Sequence, residues 1–282
     1  MLAAPMAVEI GPGAVAGLGE LLADRRISSG GHVAVAVGPG YGDEIAAVVD
    51  PAIENCDIVR VEEGGTLNSA LDLADRLRKQ FYDAVVGIGG GGTLDVAKHA
   101  ASLVGLPMVA VATSLSHDGI ASPVSSLSHD GQKASYGVQM PVAVLVDLDY
   151  VRTSPVEMRR SGVGDAVSNL SAVADWKLAE RERGEPVDGL AVALAHTGAE
   201  AVLHSEARWT TTTSWWCWAR RSFSQVSRWP PRAAVARAAA PTTRSCTPST
   251  TSSRTPDCTA SWRAWARCSR LTFTGACSLP AS

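Results

Sequence analysis

The stretch GIGGGGTLDVAKHA sets four glycines, Gly89, Gly90, Gly91 and Gly92, between an apolar run and a helical pattern. Glycine lets backbone N–H groups approach a diphosphate without obstruction, and a helix N-terminus adds partial positive charge. The arrangement suits a dinucleotide, although a bare glycine run also serves as a tight turn. Asp95 and Lys98 stand one turn into the helix, where a solvated face is the plain expectation. A second stretch, TSLSHDGIASP at 113–123, follows the next apolar run. Its short hydroxyl side chains suit a cofactor or a phosphorylated substrate, while His117 and Asp118 also read as a capping or turn pair. In the third stretch, RRSGVGDAVSN, Asp165 opens a helix after a glycine turn and Asn169 faces the same side one turn later. They could offer oxygen ligands to a cation or simply cap the helix, since one carboxylate does not make a metal site.

These residues depend on the elements around them. VAVAV at 33–37 is a short apolar run ended by Gly38, Pro39 and Gly40, which fits a buried parallel strand entering a loop. DIVRVEEGG at 57–65, DAVVGIG at 83–89, PMVAVAT at 107–113 and VAVLVDL at 142–148 read as further strands. Between them, SALDLADRLRKQ at 69–80 places Leu71, Ala74, Leu77 and Arg78 at helical spacing. GTLDVAKHAASLVG at 92–105 places Val96, Ala100 and Leu103 on one helical face. Strand and helix in alternation imply a parallel α/β sheet. By strand order the glycine loop and the TSLSHDGIASP loop then share the carboxyl edge, where open α/β sheets bind ligands. From Ser154 the pattern turns helical. Ser154 reads as N-cap with Pro155 at the first helical position, MRRSGVGD ends that short helix, and helices follow over 165–183 and 188–207.

The chain of 282 residues is 46% hydrophobic, enough for a sizeable core. The N-terminus carries no basic region followed by a long apolar stretch, and no run is long enough to span a bilayer. A soluble cytoplasmic protein without membrane insertion is the expectation. The formal net charge of −3 conceals a break near Arg208. Beyond it every basic residue is Arg, Lys and Glu are absent, Asp257 is the sole acid, and all the cysteines and tryptophans occur except Cys56 and Trp176. This tail fits an Arg and Trp arm for nucleic acid or an anionic surface, plain disorder, or a coding sequence read out of frame. The composition favours the last, since a GC-rich gene read in the wrong frame gains Arg, Ala, Pro, Trp, Cys, Ser and Thr and loses Lys and Glu. With a free choice of synonymous codons, shifting the frame over Thr242 to Thr247 gives D-E-I-L-H, and over Asp257 to Ser261 gives L-H-G-E.

GIGGGGTLDVAKHAA, VATSLSHDGIASP and SGVGDAVSNLSAVADWKLA, in this order, closely resemble the sn-glycerol-1-phosphate dehydrogenase family. That family stands with the dehydroquinate synthases and the metal-dependent alcohol and glycerol dehydrogenases. The likeness runs from about Val8 to His204. It implies a dehydroquinate synthase-like α/β fold, with a Rossmann-like NAD(P)-binding domain over 1–153, the start of an α-helical metal and substrate domain over 154–208, and an aberrant tail over 209–282. It makes Gly89, Gly90, Gly91, Gly92, Thr93 and Asp95 the diphosphate loop, brings Thr113, Ser116 and Ser122 to NAD or NADP, and sets Asp118 against the substrate. Asp165 becomes a ligand of Zn2+ or Ni2+ that also touches substrate. The family's other metal ligands are two histidines, one in an H-G-E string that this chain shows only in the shifted frame, so His196 and His204 read as ordinary helix residues. The implied reaction is reversible hydride transfer between NAD(P)H and dihydroxyacetone phosphate, a small phosphorylated three-carbon substrate, with phospholipid precursor synthesis as its usual purpose. No nucleic-acid partner is expected, and a homo-oligomer is allowed. Alternatives are a glycerol dehydrogenase, a dehydroquinate synthase-type enzyme, or a nucleotide- or nucleic-acid-binding protein without catalysis.

Overall fold

The computed structural model of the protein describes residues 5–204 apart from Arg26, Ser29 and Glu54. The tail after Arg208, with every reading of it, lies outside the described residues. The apolar runs become β2 (Val33–Val37), β3 (Cys56–Arg60), β4 (Ala84–Gly89), β5 (Met108–Ala112) and β8 (Ala143–Asp147) of one sheet, which β1 (Ala7–Gly11), a strand not read from the sequence, completes, and β6 (Val124–His129) and β7 (Gln132–Gly137) form a separate antiparallel hairpin. The six-stranded sheet has the order β1-β8-β5-β4-β2-β3 and every pairing in it is parallel.

All residues of β2, β4, β5 and β8 are buried, whereas the edge strands β1 and β3 are partly exposed. That is why the central strands are unbroken runs of Val, Ala, Ile and Gly: a parallel sheet covered on both faces has no solvent side to alternate toward. Helices α1 (Leu18–Asp24) and α2 (Gly42–Val49) share one core with Val33, Val35, Val37, Val86, Ile88 and Leu145. On the opposite face Ala34, Ala36, Val85, Ala110 and Val144 pack in a core with residues of α3 (Leu67–Leu77) and α4 (Gly91–Val104). The alternation follows from the two-residue period of a strand. On the α4 side the strand residues are small, and a Cβ at Gly87 would stand 2.7 Å from the Ala97 Cβ, so helix and sheet approach closely there.

Two helix faces differ from the expected ones. In α3 the buried residues are Ala70, Leu73, Ala74 and Leu77, with Leu71 at 43% exposure, and in α4 Leu103 is equally exposed while Val96 and Ala100 are buried. Spacing of three or four fits more than one stripe on a short helix, and the sheet selects which one is covered.

After α5 (Leu148–Thr153) comes α6 (Val156–Arg183), and then α7 (Gly189–Leu203), N-capped by the Asp188 carboxylate, which accepts from the Leu190 and Ala191 N–H groups. Helix α6 corrects two expectations: Pro155, not Ser154, is the N-cap, and the helix passes through Gly162 and Gly164 without a turn. Each internal glycine costs about 1 kcal/mol of helix propensity. Helical neighbours on both sides, and burial of Gly162, carry the helix across them. Asp165 therefore sits mid-helix and caps nothing. No helix among the described residues is long and apolar enough to cross a membrane.

Candidate functional site

In this sheet the chain runs outward from β2 to β3 and then returns to place β4 on the other side of β2. Between β2 and β4 the connections leave in opposite directions, which opens a crevice at the carboxyl edge. Glycines from three successive connections meet there. A Cβ at Gly38 or Gly89 would overlap the Thr93 side chain, and one at Gly64 would stand 3.0 Å from the Thr93 N. Gly65 donates its N–H to the Gly92 carbonyl at 3.0 Å. The Thr93 side chain and neighbouring backbone thus take the space that Cβ atoms would occupy, and Gly90 is N-cap of α4 with no side-chain cap. The first N–H groups of a helix have no intrahelical partner, so the cradle presents donors and positive potential.

The β5 loop lies over this cradle. Thr113 donates its N–H to the Gly89 carbonyl at 3.1 Å, and the Ser114 Oγ stands 3.1 Å from where a Cβ of Gly90 would be. The His117 Nδ1 accepts from the Gly119 N–H at 3.0 Å, and a Cβ at Gly91 would overlap the His117 Nε2. Burial pushes the His117 pKa below its ordinary value; Lys98 and Lys133 push the same way, against Asp95 and Asp118. Ser116 is half-buried on this loop. Ser122 is turned inward, its Oγ donating to the Gly119 carbonyl at 2.8 Å and the Val124 carbonyl at 3.1 Å.

Asp95 and Lys98 are not on a solvated face. The Lys98 side chain is 0% exposed and that of Asp95 6%, and their ion pair closes at 3.0 Å. The Lys98 ammonium also donates to the carbonyls of Gly119 at 2.8 Å, Val124 at 2.6 Å and, more weakly, Ser122 at 3.5 Å. A buried ammonium is tolerated only when its donors are matched, and here the matching groups are the turn that follows Asp118. Lys98 therefore fixes the SHDG loop to α4.

Asp118, Asp165 and Asn169 come together. The Asp165 Oδ2 accepts the Asp118 N–H at 2.8 Å, and the Asn169 Nδ2 donates to the Asp118 Oδ2 at 3.4 Å. His196 pairs with Glu200 along α7 at 3.4 Å, and His204 is exposed at the helix end. Among the described residues no three His, Cys, Asp or Glu side chains gather to hold a metal ion. The Asp165 cluster is thus incomplete as a metal site within those residues. At the glycine cradle, by contrast, the donors present fit a diphosphate: Gly90 leaves the start of α4 without a side-chain cap, and the buried Ser114 hydroxyl beside it has no hydrogen-bond partner among the described residues. Ser114 was not singled out by residue type, His117 was read with Asp118 as a capping or turn pair, and Lys98 was expected on a solvated face; their place at this site was signalled only by membership of the quoted strings.

The architecture is that of solved dehydrogenases: a probable glycerol dehydrogenase from Sinorhizobium meliloti superposes with a TM-score of 0.68 over 81% of this chain and 67% of its own, at 19% identity. Residues 9–155 match the sequence profile of the iron-containing alcohol dehydrogenases, and the chain belongs to that family. Its relatives include a glycerol-1-phosphate dehydrogenase (NAD(P)+) from Archaeoglobus fulgidus, 46% identical over 114 residues, 40% of this chain and 32% of that one. Another enzyme of that name, from Thermofilum pendens, is 38% identical over 203 residues, 71% of this chain and 57% of that one. The chain therefore spans between a third and just over half of these relatives' length.

Proposed function

We propose that the chain carries the cofactor half of an NAD(P)-dependent sn-glycerol-1-phosphate dehydrogenase, which interconverts dihydroxyacetone phosphate and sn-glycerol 1-phosphate. The observation behind this reading is a single loop that serves both halves of a site: His117 lies against Gly91 of the cradle, and the next residue, Asp118, is held by Asp165. The similarity to two glycerol-1-phosphate dehydrogenases supports the substrate. On this reading residues 1–153 form the nucleotide-binding domain and 154–208 begin the metal and substrate domain.

When bound, NAD(P)H supplies the hydride. Gly89, Gly90, Gly91 and Gly92, with Thr93, hold the diphosphate through backbone N–H groups. Thr113 and Ser116 line the cofactor from the β5 loop. Ser122 acts through the turn its hydroxyl closes, and Asp95 through the ion pair that seats Lys98. Asp118 and Asp165 bring their carboxylates to the substrate's hydroxyl end; the Asp118 N–H orients the Asp165 carboxylate and the Asn169 amide that of Asp118 before substrate arrives. Asp165 is also the residue that would contribute to Zn2+ or Ni2+. Its remaining ligands would come from outside the described residues.

As it stands the chain binds nucleotide with little turnover. The test has two parts. The purified full chain is titrated with NADH and NADPH by fluorescence, and its oxidation of NADH with dihydroxyacetone phosphate is compared with its action on glycerol. Binding without turnover is the expected result, whereas normal turnover and tight zinc binding would overturn the incomplete-site reading. Sequencing the DNA across codons 200–215 then decides the tail. A missing or added base whose correction restores histidines and the H-G-E string identifies the parent enzyme, and an intact frame turns attention to the basic tail as a binding element.

A further inference from the structure

Resting on the cofactor reading and going beyond it, we propose that His117 contacts the cofactor directly, its Nε2–H donating to the diphosphate held at the start of α4. The Nδ1 of His117 accepts the Gly119 N–H, so in the neutral ring the proton sits on Nε2. That nitrogen makes no hydrogen bond among the described residues and faces the first residue of α4 so closely that Gly91 has no room for a Cβ. Burial lowers the pKa of the ring, which keeps it a neutral donor rather than a cation. The charged groups around it are Asp95 and Lys98 on α4, Asp118 in its own turn and Lys133 on β7. With both signs present, the hydrogen bond rather than a net field is what the ring offers an anion.

A second observation points to the same place. The Ser114 hydroxyl, on a residue 4% exposed, is buried without a hydrogen-bond partner among the described residues and stands beside Gly90, the residue before Gly91. A buried hydroxyl left unpaired is costly, and a bound acceptor removes that cost. Two side-chain donors from one loop thus address two consecutive residues at the helix start, where backbone N–H groups already point outward. A diphosphate, with acceptor oxygens on two phosphorus atoms, matches that spread of donors. The arrangement also reverses the ordinary role of a histidine in a turn: the nitrogen nearer the backbone shapes the loop, and the far one is left for the ligand.

The substitution that separates these roles is His117→Asn. Its Oδ1 takes the place of Nδ1 and still accepts the Gly119 N–H, but nothing replaces Nε2. Calorimetric titration of the full chain with ADP-ribose, a diphosphate without nicotinamide, is expected to show affinity about tenfold weaker for His117→Asn. Ser114→Ala should fall in the same direction, and the melting temperature of His117→Asn should stay near the parent's. Equal ADP-ribose affinity in parent and His117→Asn would overturn the proposal and leave His117 a loop residue only. In the parent labelled with 15N-histidine, the Nε2 resonance should show a bound proton and move on adding ADP-ribose; an unmoved resonance counts against the contact even if the variant fails to fold. A parent that binds neither ADP-ribose nor NADH would bring down the cofactor reading itself, and this inference with it.

Discussion

The glycine cradle and the Asp118–Asp165–Asn169 cluster both meet the loop after β5 but are built from different material. The cradle is backbone: its glycines come from connections after β2, β3 and β4, and its strands fix its shape. The carboxylate cluster is side chain, joined across 47 residues of sequence by the bond from Asp118 N–H to Asp165. A site made of backbone is complete once the sheet forms. A site made of side chains is complete only when every contributing helix is in place, and here the described helices supply part of it.

Lys98 is the joint between the two, and removing it should have the largest effect. Lys98→Met leaves the buried Asp95 carboxylate without its partner and frees the turn carbonyls, a loss of about 3–5 kcal/mol of stability. Urea denaturation measures it, and Asp95→Asn in the same chain should recover part of the loss. Recovery of none would mean that the carbonyl contacts, not the ion pair, dominate.

Gly91→Ala tests the cradle alone. The new Cβ overlaps the His117 ring, so the loop must shift at a cost of about 1–3 kcal/mol. NADH affinity should fall by about ten- to a hundredfold. Asp165→Asn tests the other material. The amide oxygen can still accept the Asp118 N–H, so stability should change by less than about 1 kcal/mol and NADH affinity should hold. A large drop in nucleotide binding from Asp165→Asn would show that the two parts are not separable.

The smallest effect belongs at the far edge of the sheet. There burial, with the hydrogen bond to Asp57 second, pushes the Tyr82 pKa up to about 12 from 10.0. A raised folded-state pKa means that this stabilisation is whole below pH 10 and is lost as pH rises toward 12. Melting temperature followed across that window should decline less in Tyr82→Phe than in the parent, with no change in nucleotide binding.

The same contrast explains what could be read in advance. The central strands and the glycine loop were legible because buried parallel strands leave unbroken apolar runs and a backbone site leaves glycines. Asp118 and Asp165 were legible through resemblance. The continuity of α6 was not, because Gly162 and Gly164 carry the local signal of a turn while packing decides for helix. Burial of Lys98 was equally hidden: its acceptors are carbonyls, which every residue has, so no residue type announces them. The hairpin of β6 and β7 escaped notice because its serine-rich strands lack a long apolar run.

Strand β1 pairs with β8, and the buried Asp147 carboxylate at the end of β8 accepts the N–H groups of Gly13 and Val15, the first of these across 134 residues of chain. During synthesis, then, the strand that leaves the ribosome early must wait for β8 before it has a neighbour. Until then the β5–β4–β2–β3 core can assemble by itself, since none of its pairings needs β1. A nascent chain halted before Asp147 would hold the glycine cradle with its outer strand still loose.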